Sequence, residues 1–301
     1  MSEIEENEDD IKEFKRFVQY HFKEYVVCYL DVLGFKEIIN SIDANNAKTT
    51  DFLESYIEIT KAWKTFLEGY IPNVPEEESK EVEIEIISDS IIISARTNPK
   101  DPKFVAQTLK KVATAASRLQ IEMIKHNFWL RGAITVGNLY KQDHLIIGKA
   151  LIDAYQLEST YAKYPRIILD NNVIRKYFKS FGEFRAHIHN ADGVKGENII
   201  FINNEVLHSR FFKSYLDDLL FVDMISVIFN EVTNPRETLL GIMKRSIKNS
   251  FLHADIAEKY LWMQRYILAT FEKNFSDDVE SIESKEELFK ILKDAYTNKT
   301  L

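Results

Sequence analysis

The sequence predicts an α+β fold in which strands and helices follow one another in the order β-α-β-β-α-β. Two segments, 25–35 and 84–94, are rich in Val, Ile, Tyr and Phe and have the composition of core strands. Two others, 50–69 and 102–126, carry apolar residues at helical spacing. This order of elements indicates a ferredoxin-like domain.

Local patterns predict the remaining elements in turn. Up to residue 170 they are, in chain order, a short helix at 11–23, a strand at 25–32, a helix at 50–69, strands at 82–88 and 90–95, a helix at 102–126, a strand at 128–136, a short strand pair near 139–147, a helix at 148–161 and a strand at 166–169. After a polar stretch come strands at 199–203 and 219–223, then helices at 236–249, 253–273 and 284–296. We therefore divide the chain into an acidic tail and helix at 1–24, an α+β domain at 25–225 and a C-terminal helical appendage at 226–301.

The composition excludes several classes of protein. Hydrophobic residues make up 45% and charged residues 29% of the 301 positions, so a sizeable core is expected. The net charge of −8 argues against a general binder of nucleic acids or anionic membranes, because phosphate contacts require clustered Lys and Arg. No apolar run approaches the roughly 18–20 residues of a membrane-spanning helix. The acidic N-terminus is unlike a signal peptide and the single Cys28 fits a buried thiol, so we expect a cytoplasmic protein.

Two aspartates, Asp31 and Asp89, each lie inside an otherwise apolar, strand-like run. A carboxylate in such surroundings loses several kcal/mol of hydration unless something compensates its charge. A divalent cation shared by two carboxylates supplies that compensation and suits phosphate chemistry. Each aspartate alone has a simpler explanation: Asp31 as a cap at a strand end before Gly34, and Asp89 as a hairpin-turn residue. The two together favour a metal site.

Four motifs follow one another along the chain. They are Tyr29-Leu-Asp31-Val-Leu-Gly34-Phe35, Ser88-Asp89-Ser-Ile, Arg131-Gly-Ala-Ile-Thr-Val-Gly137 and Gly148-Lys-Ala-Leu-Ile-Asp-Ala-Tyr-Gln-Leu-Glu158. In this order they resemble the catalytic domain of the class III nucleotidyl cyclases, the last motif only in part. The resemblance covers about residues 25–225. Within the family it is strongest to the pyrimidine cyclases of bacterial anti-phage Pycsar systems, also at Tyr164-Pro-Arg-Ile167 and Asp217-Asp-Leu-Leu-Phe-Val-Asp223.

The resemblance implies a role for each matched residue. Two ions of Mn²⁺ or Mg²⁺ would be held by Asp31, Asp89 and the backbone carbonyl of Val32. The turn at Gly34 and Phe35 would offer backbone N–H groups to phosphate oxygens. Arg131 would contact the triphosphate, for which its fork of donors is suited.

The class also implies the partners and the reaction. The protein would be a homodimer with active sites at the subunit interface. It would convert UTP or CTP into the 3′,5′-cyclic monophosphate and pyrophosphate. The product would reach a cyclic-nucleotide-gated effector, and neither a nucleic acid nor a membrane would be a partner.

The chain departs from the class pattern at two pairs of positions. Where purine cyclases have a Lys and an Asp that read the base, this chain has Glu85 and Leu145, which favours a pyrimidine. Where the class has a transition-state Asn and Arg, this chain has Ile152 and Gln156. The candidate substitutes are Lys149, Lys163, Arg166 and Lys195, of which we predict Arg166 and Lys195 as substrate-binding residues.

The second departure keeps two other hypotheses open. One is a catalytically inactive nucleotide sensor built on the cyclase fold. The other is an interaction scaffold whose C-terminal helices at 236–296 recruit a partner. The first would bind a nucleotide without releasing pyrophosphate, whereas the second needs no nucleotide.

Overall fold

The computed structural model describes residues 21–40, 47–69, 82–142, 145–189, 201–202, 219–252 and 256–273, with Phe17 and scattered positions between 290 and 297. The predicted acidic tail and Lys195 lie outside the described residues. The predicted helices at 11–23 and 284–296 are described only at scattered positions.

Eight strands form one mixed sheet. They are β1 (Lys23–Val32), β2 (Val82–Ile87), β3 (Ser90–Arg96), β4 (Leu130–Gln142), β5 (Leu145–Ile147), β6 (Ile167–Leu169), β7 (Phe201–Ile202) and β8 (Phe221–Val222). The sheet order is β2-β3-β1-β4-β6-β8-β7, and β5 pairs with β4 off this path. All these pairings are antiparallel except β4 with β6.

Nine helices connect or cover the strands within the described part of the chain. They are α1 (Phe35–Asn40), α2 (Ala47–Gly69), α3 (Pro102–Lys125), α4 (Lys149–Tyr161), α5 (Asn171–Tyr177), α6 (Phe181–His189), α7 (Met224–Glu231), α8 (Pro235–Leu252) and α9 (Ala257–Lys273). None of these described helices combines the length and apolar character that a membrane crossing requires.

The prediction of an α+β, ferredoxin-like domain is confirmed. The elements β1, α2, β2, β3, α3 and β4 follow the β-α-β-β-α-β order, and their strands lie side by side as β2-β3-β1-β4. One detail differs, because the strand predicted at 128–136 continues to residue 142 as part of β4. The ten-residue β1 pairs with β4 from Val32 opposite Leu130 to Lys23 opposite Leu139, which keeps β4 extended through Gly137.

Alternation along β1 decides which side chains enter the core. Val26, Cys28, Leu30 and Val32 belong to the core cluster that the sheet shares with α2 and α3. The other face of β1 carries Tyr25, Val27, Tyr29 and Asp31. Cys28 is fully buried and its burial raises the thiol pKa, in line with the expected core thiol.

Helix α3 has a complete N-terminal cap. The side chain of Asp101 accepts hydrogen bonds from the backbone N–H groups of Lys103 (3.0 Å) and Phe104 (3.2 Å). Pro102 occupies the first helical position, where a missing N–H costs nothing. The cap fixes the start of the helix that covers the sheet face opposite Asp31.

Helix α4 lies on the same sheet face as Asp31. Val27, Ile92 and Leu139 of the sheet pack there against Ala150 and Ala154 of the helix. The helix begins at Gly148, where a Cβ atom would come within 2.8 Å of the Leu139 Cα atom and still closer to the Asn138 carbonyl oxygen. Only glycine allows this approach.

The C-terminal helices α7 to α9 pack on the far half of the sheet. Their apolar side chains share a buried cluster with Trp129, which directly precedes β4, and with residues of α3, β4, β6 and β8, among them Ile124, Ala133, Ile168 and Phe221. At the start of α7, Asp223 accepts a hydrogen bond from the backbone N–H of Ile225 (3.2 Å) and one from the hydroxyl of Tyr266 on α9. The predicted boundary at residues 225 and 226 therefore falls inside α7 and inside a shared core.

Candidate active site

Asp31 and Arg131 form the centre of the candidate site. The register places them opposite each other on β1 and β4, so their side chains leave the sheet on the same face. The Nε–H of Arg131 donates to Oδ2 of Asp31 at 3.0 Å. The side chains are 20% (Asp31) and 24% (Arg131) exposed, so the pair is shielded from water yet open to a ligand.

The second aspartate lies beside the first. Asp89 occupies the two-residue turn between β2 and β3, as predicted, next to Ser90, which is paired with Asp31. The Val32 N–H donates to the Asp89 carbonyl oxygen at 3.3 Å, and the Tyr56 hydroxyl donates to the Ser88 carbonyl oxygen at 2.7 Å. The turn that carries Asp89 is therefore fixed both to β1 and to α2.

The charges that act on Asp31 come from one neighbouring carboxylate and from two cations. Burial raises the pKa of Asp31 and the charge of Asp89 raises it further, whereas Arg131 and Lys259 act in the opposite direction. Two carboxylates that repel each other beside a backbone turn offer the oxygen ligands that Mg²⁺ and Mn²⁺ prefer. No cluster of three or more His, Cys, Asp or Glu side chains arranged for a metal occurs among the described residues. An ion bound here would take its ligands from the two carboxylates, backbone oxygens and water, the set predicted as Asp31, Asp89 and the carbonyl of Val32.

Glu158 is a member of the site to which the sequence analysis gave no role. It lies on α4 and is 2% exposed, with Oε1 2.7 Å from the Arg131 Nε atom. The Nε–H is directed to Asp31, and Oε1 accepts no hydrogen bond from the part of the chain that the structure describes. Burial raises the pKa of Glu158 to about 7 against the opposing charge of Arg131, and Asp31 and Asp89 add to the rise.

A signal for Glu158 was present in the sequence. The buried positions of α4 are Ala150, Ala154 and Glu158, which recur every four residues. A glutamate four residues after two alanines with the same spacing lies on the same face of the helix as those alanines, which indicates a buried carboxylate. Such a group requires a cation or a proton, and here Arg131 is the adjacent cation.

Replacing Glu158 by Gln should raise the free energy of unfolding near pH 8 by on the order of 2 kcal/mol and change it little near pH 5. The folded protein holds this carboxyl with a raised pKa, so the stability that its proton supplies is complete below the ordinary carboxyl pKa and is lost as the pH rises through about 7. Gln stays neutral throughout. Urea unfolding across this range measures the effect, with Glu54→Gln on the exposed face of α2 as the control. A difference between wild type and E158Q that does not change with pH would contradict this account.

The structure places the turn at Gly34 and Phe35 directly after β1. Gly34 has φ +79°, a left-handed conformation that glycine adopts without strain. Phe35 begins α1 and is 6% exposed, with its ring 5.1 Å from that of Tyr56 and 6.3 Å from that of Phe52. The aromatic contacts hold the backbone of this turn next to Asp31.

The structure does not bring Arg166 to the site. Its guanidinium is surrounded by the rings of Tyr164 (5.6 Å), Phe221 (5.6 Å) and Trp262 (5.9 Å), and the residue is 2% exposed. The guanidinium belongs to the contact between the sheet and α9, because cation–π packing of this kind fastens elements together. The substrate-binding role predicted for Arg166 is therefore replaced by a structural one.

The four residues that differ from the class pattern are Glu85, Leu145, Ile152 and Gln156. They differ in their exposure to solvent. Glu85 on β2 is partly buried, with its Oε1 atom 3.7 Å from the ammonium of Lys141. Leu145 is 53% and Ile152 56% exposed, and Gln156 is also exposed on α4. None of these four side chains contacts Asp31 or Arg131 through a described hydrogen bond or ion pair.

Comparisons with known proteins give partial structural likenesses. No protein-family model and no curated protein matches this chain. One match is the crystal structure of the catalytic core of a rhodopsin-guanylyl cyclase with converted specificity in complex with ATPαS. Its sequence is 16% identical to this one, and the match covers 67% of this chain and 96% of that chain with a TM-score of 0.36. A class III adenylyl cyclase-like ATP-binding protein from Pseudomonas aeruginosa is 11% identical over 83% of this chain and 60% of that chain, with a TM-score of 0.37. Structural matches with TM-scores of 0.36 and 0.37 do not establish an activity for this chain.

Proposed function

We propose that this protein is a metal-dependent nucleotide cyclase of the class III type. The observation that carries the proposal is that Asp31 and Asp89, 58 positions apart in the sequence, lie together at one end of neighbouring strands of a ferredoxin-like sheet. Arg131 joins them from the neighbouring strand through its bond to Asp31. The four motifs read from the sequence thus converge on one side of the fold.

The residues of the site match the needs of cyclisation. The ribose 3′ oxygen loses its proton to water and bonds to the α-phosphorus, while the bond from that phosphorus to the β-phosphate oxygen breaks and pyrophosphate leaves. Divalent ions held by Asp31, Asp89 and Val32 would supply charge neutralisation at the attacking and leaving oxygens. Arg131 uses Nε for Asp31, and its Nη groups would donate to phosphate oxygens. Glu158 fixes the guanidinium from the side of α4.

A pyrimidine nucleotide, UTP ahead of CTP, is the substrate that we propose. Support comes from Glu85 and Leu145, which replace the residues that read a purine, and from the resemblance to Pycsar cyclases. In the structure Glu85 and Glu83 pair with Lys141, so their charges are engaged within the sheet. On the same resemblance we propose a cytoplasmic second-messenger role in anti-phage defence, with the product acting on a cyclic-nucleotide-gated effector.

A homodimer is part of the proposal. Exposed apolar side chains lie on the outer face of α4 and on β5: Leu145 (53%), Ile147 (50%), Ile152 (56%) and Tyr155 (52%). Exposed apolar groups that cluster in this way are typical of protein interfaces. The class resemblance implies active sites at the subunit interface, so a second subunit would complete each site.

An inactive nucleotide sensor is the second candidate function. Ile152 favours it, because an exposed isoleucine at the position of the transition-state Asn cannot donate a hydrogen bond to a phosphate. A sensor would keep the ion and phosphate contacts at Asp31, Asp89 and Arg131 and would lack turnover.

Incubation with each of the four nucleoside triphosphates and Mn²⁺, followed by chromatographic identification of products, tests the proposal. We expect cyclic UMP and pyrophosphate from UTP, less product from CTP, and none after addition of a chelator. Cyclic AMP or cyclic GMP as the main product would keep the cyclase and overturn the pyrimidine assignment. Nucleotide binding without pyrophosphate release from any triphosphate would establish the sensor. Absence of nucleotide binding would contradict both and favour an interaction scaffold.

A further inference from the structure

Arg131 lies between two carboxylates but gives its Nε–H to only one of them. The Nε–H donates to Oδ2 of Asp31 at 3.0 Å. Oε1 of Glu158 is closer to the same Nε atom, at 2.7 Å, yet it accepts no hydrogen bond from the described part of the chain. A guanidinium Nε carries a single hydrogen, so it serves one of the two oxygens at a time. The structure therefore holds two acceptors within reach of one donor.

The backbone is fixed on both sides of this contact. Arg131 pairs with Asp31 across β4 and β1, and the N–H of the next residue, Gly132, donates to the Arg166 carbonyl oxygen at 3.0 Å. Helix α4, which carries Glu158, is packed on the sheet through a buried apolar cluster. Because both elements are held in place, an exchange of partners requires only a turn of the guanidinium on its stem.

The position of Glu158 is unfavourable for an ionised carboxylate. The residue is 2% exposed, and burial raises its pKa to about 7, with a further contribution from Asp31 and Asp89. It also lies in the last turn of α4 (Lys149–Tyr161), where the helix dipole disfavours a negative charge. Groups held at a cost to stability are typical of functional sites. The contact with Arg131 indicates which function this carboxylate serves.

Arg131 and a divalent ion would compete for the same carboxylate. The class resemblance assigns Asp31 to the ion, and Arg131 already occupies one of its two oxygens. Two positive charges that share one carboxylate repel each other. Glu158 offers the displaced Nε–H a charged acceptor at 2.7 Å, so the guanidinium keeps an ion pair while Asp31 is released. Without that acceptor, the guanidinium would lose its partner in a shielded site when it leaves Asp31.

We propose that Glu158 is a positioning residue that draws Arg131 away from Asp31 and so sets the affinity of Asp31 and Asp89 for a divalent ion. The inference rests on the proposed function and deepens it, because it names the group that regulates entry of the ion. Arg131 has two successive partners, Asp31 before the ion enters and Glu158 afterwards. Glu158 acts through Arg131 and touches neither the ion nor the substrate.

Titration with Mn²⁺ alone near pH 8, followed through the electron paramagnetic resonance signal of the unbound ion, tests the proposal. We expect E158Q to raise the dissociation constant about tenfold or more, as is usual for groups that orient a metal ligand. R131M lacks the competing guanidinium and should bind Mn²⁺ at least as tightly as wild type. In the R131M background, Glu158→Gln should change the affinity much less, because no guanidinium is left to move. Asp153→Asn removes a charge from the surface of α4, where Asp153 pairs with Lys149 at 2.6 Å, and should bind as wild type does.

The outcomes separate this inference from the proposed function. E158Q is expected to be no less stable than wild type at this pH, so weaker ion binding cannot come from unfolding. Equal Mn²⁺ affinity of wild type and E158Q would overturn the role of Glu158 and leave the cyclase proposal standing. Equal losses with and without Arg131 would show that Glu158 acts by its charge alone, and weaker binding by R131M would show that Arg131 does not compete; either result overturns the inference. If wild type binds Mn²⁺ no better than the double variant D31N/D89N, the inference and the proposed function both fail.

Discussion

Asp31→Asn and Asp89→Asn are each expected to reduce cyclic nucleotide formation by about a hundredfold or more. Asparagine keeps the size of the side chain but loses the charge and one of the oxygens that bind a hard cation. Ions at reacting oxygens contribute several kcal/mol to transition-state stabilisation, and each 1.36 kcal/mol corresponds to a factor of ten in rate. The rate of product formation at saturating Mn²⁺ is the measurement. Asp153→Asn, on the surface of α4 where Asp153 pairs with Lys149 at 2.6 Å, is the control and should retain activity.

The loss should not come from unfolding. Burial and the charge of Asp89 raise the pKa of Asp31, so in the protein without metal the ionised carboxylate is unfavourable. The stability contributed by its protonated form is present at low pH and is lost as the pH rises through the raised pKa. D31N should therefore melt no lower than wild type near pH 8. Robust activity in either aspartate variant would remove the two-metal assignment.

Arg131→Met is expected to lower the free energy of unfolding by about 2 kcal/mol near pH 8 and by less near pH 6. The substitution leaves the buried Glu158 and the half-buried Asp31 without their shared cation. Below the raised pKa of Glu158 a proton replaces the lost charge, so the penalty shrinks as the pH falls. Urea unfolding at the two pH values measures the difference. Arg131→Lys keeps the charge and should be destabilised less.

A double substitution identifies the cause of that penalty. In the Arg131→Met background, Glu158→Gln should restore most of the stability near pH 8, because no buried charge then lacks a partner on α4. Equal destabilisation at both pH values, or no rescue by the second substitution, would show that Arg131 stabilises the protein through packing of its stem. Nucleotide affinity should stay low in the double variant, since the guanidinium that we propose to bind phosphate is absent.

The residues of the site that lie on strands and on the β2–β3 turn were predicted from the sequence, whereas Glu158 on helix α4 was given no role. Asp31 and Asp89 lie in strand patterns joined by short connections, and antiparallel pairing brings such positions together with Arg131. Glu158 reaches the site because helix α4 packs on the sheet. That packing depends on contacts between residues far apart in sequence, such as Val27 of β1 with Ala150 and Ala154 of α4. Glu158 had a local signal in the four-residue spacing of Ala150, Ala154 and Glu158.

Arg166 was given a role from its neighbours in sequence, but its tertiary contacts place it elsewhere. Its neighbours in sequence, Tyr164 and Pro165, resemble a motif, and a basic residue there suggested a phosphate contact. The residues that decide its role are Phe221 and Trp262, which come from a strand and a helix much later in the chain. Only the tertiary contacts show that the guanidinium is enclosed.

The aromatic contact between the sheet and α9 also allows this part of the fold to be followed by intrinsic tryptophan fluorescence. Trp129 and Trp262 are two of the three tryptophans of the chain, and both are buried in this contact. The third, Trp63, lies on α2 against the other core cluster. Because indole emission depends on local polarity and on nearby charges, two of the three tryptophans report on the place where α9 meets the sheet. Separation of that helix from the sheet is therefore expected to change the intrinsic ultraviolet fluorescence of the unlabelled protein.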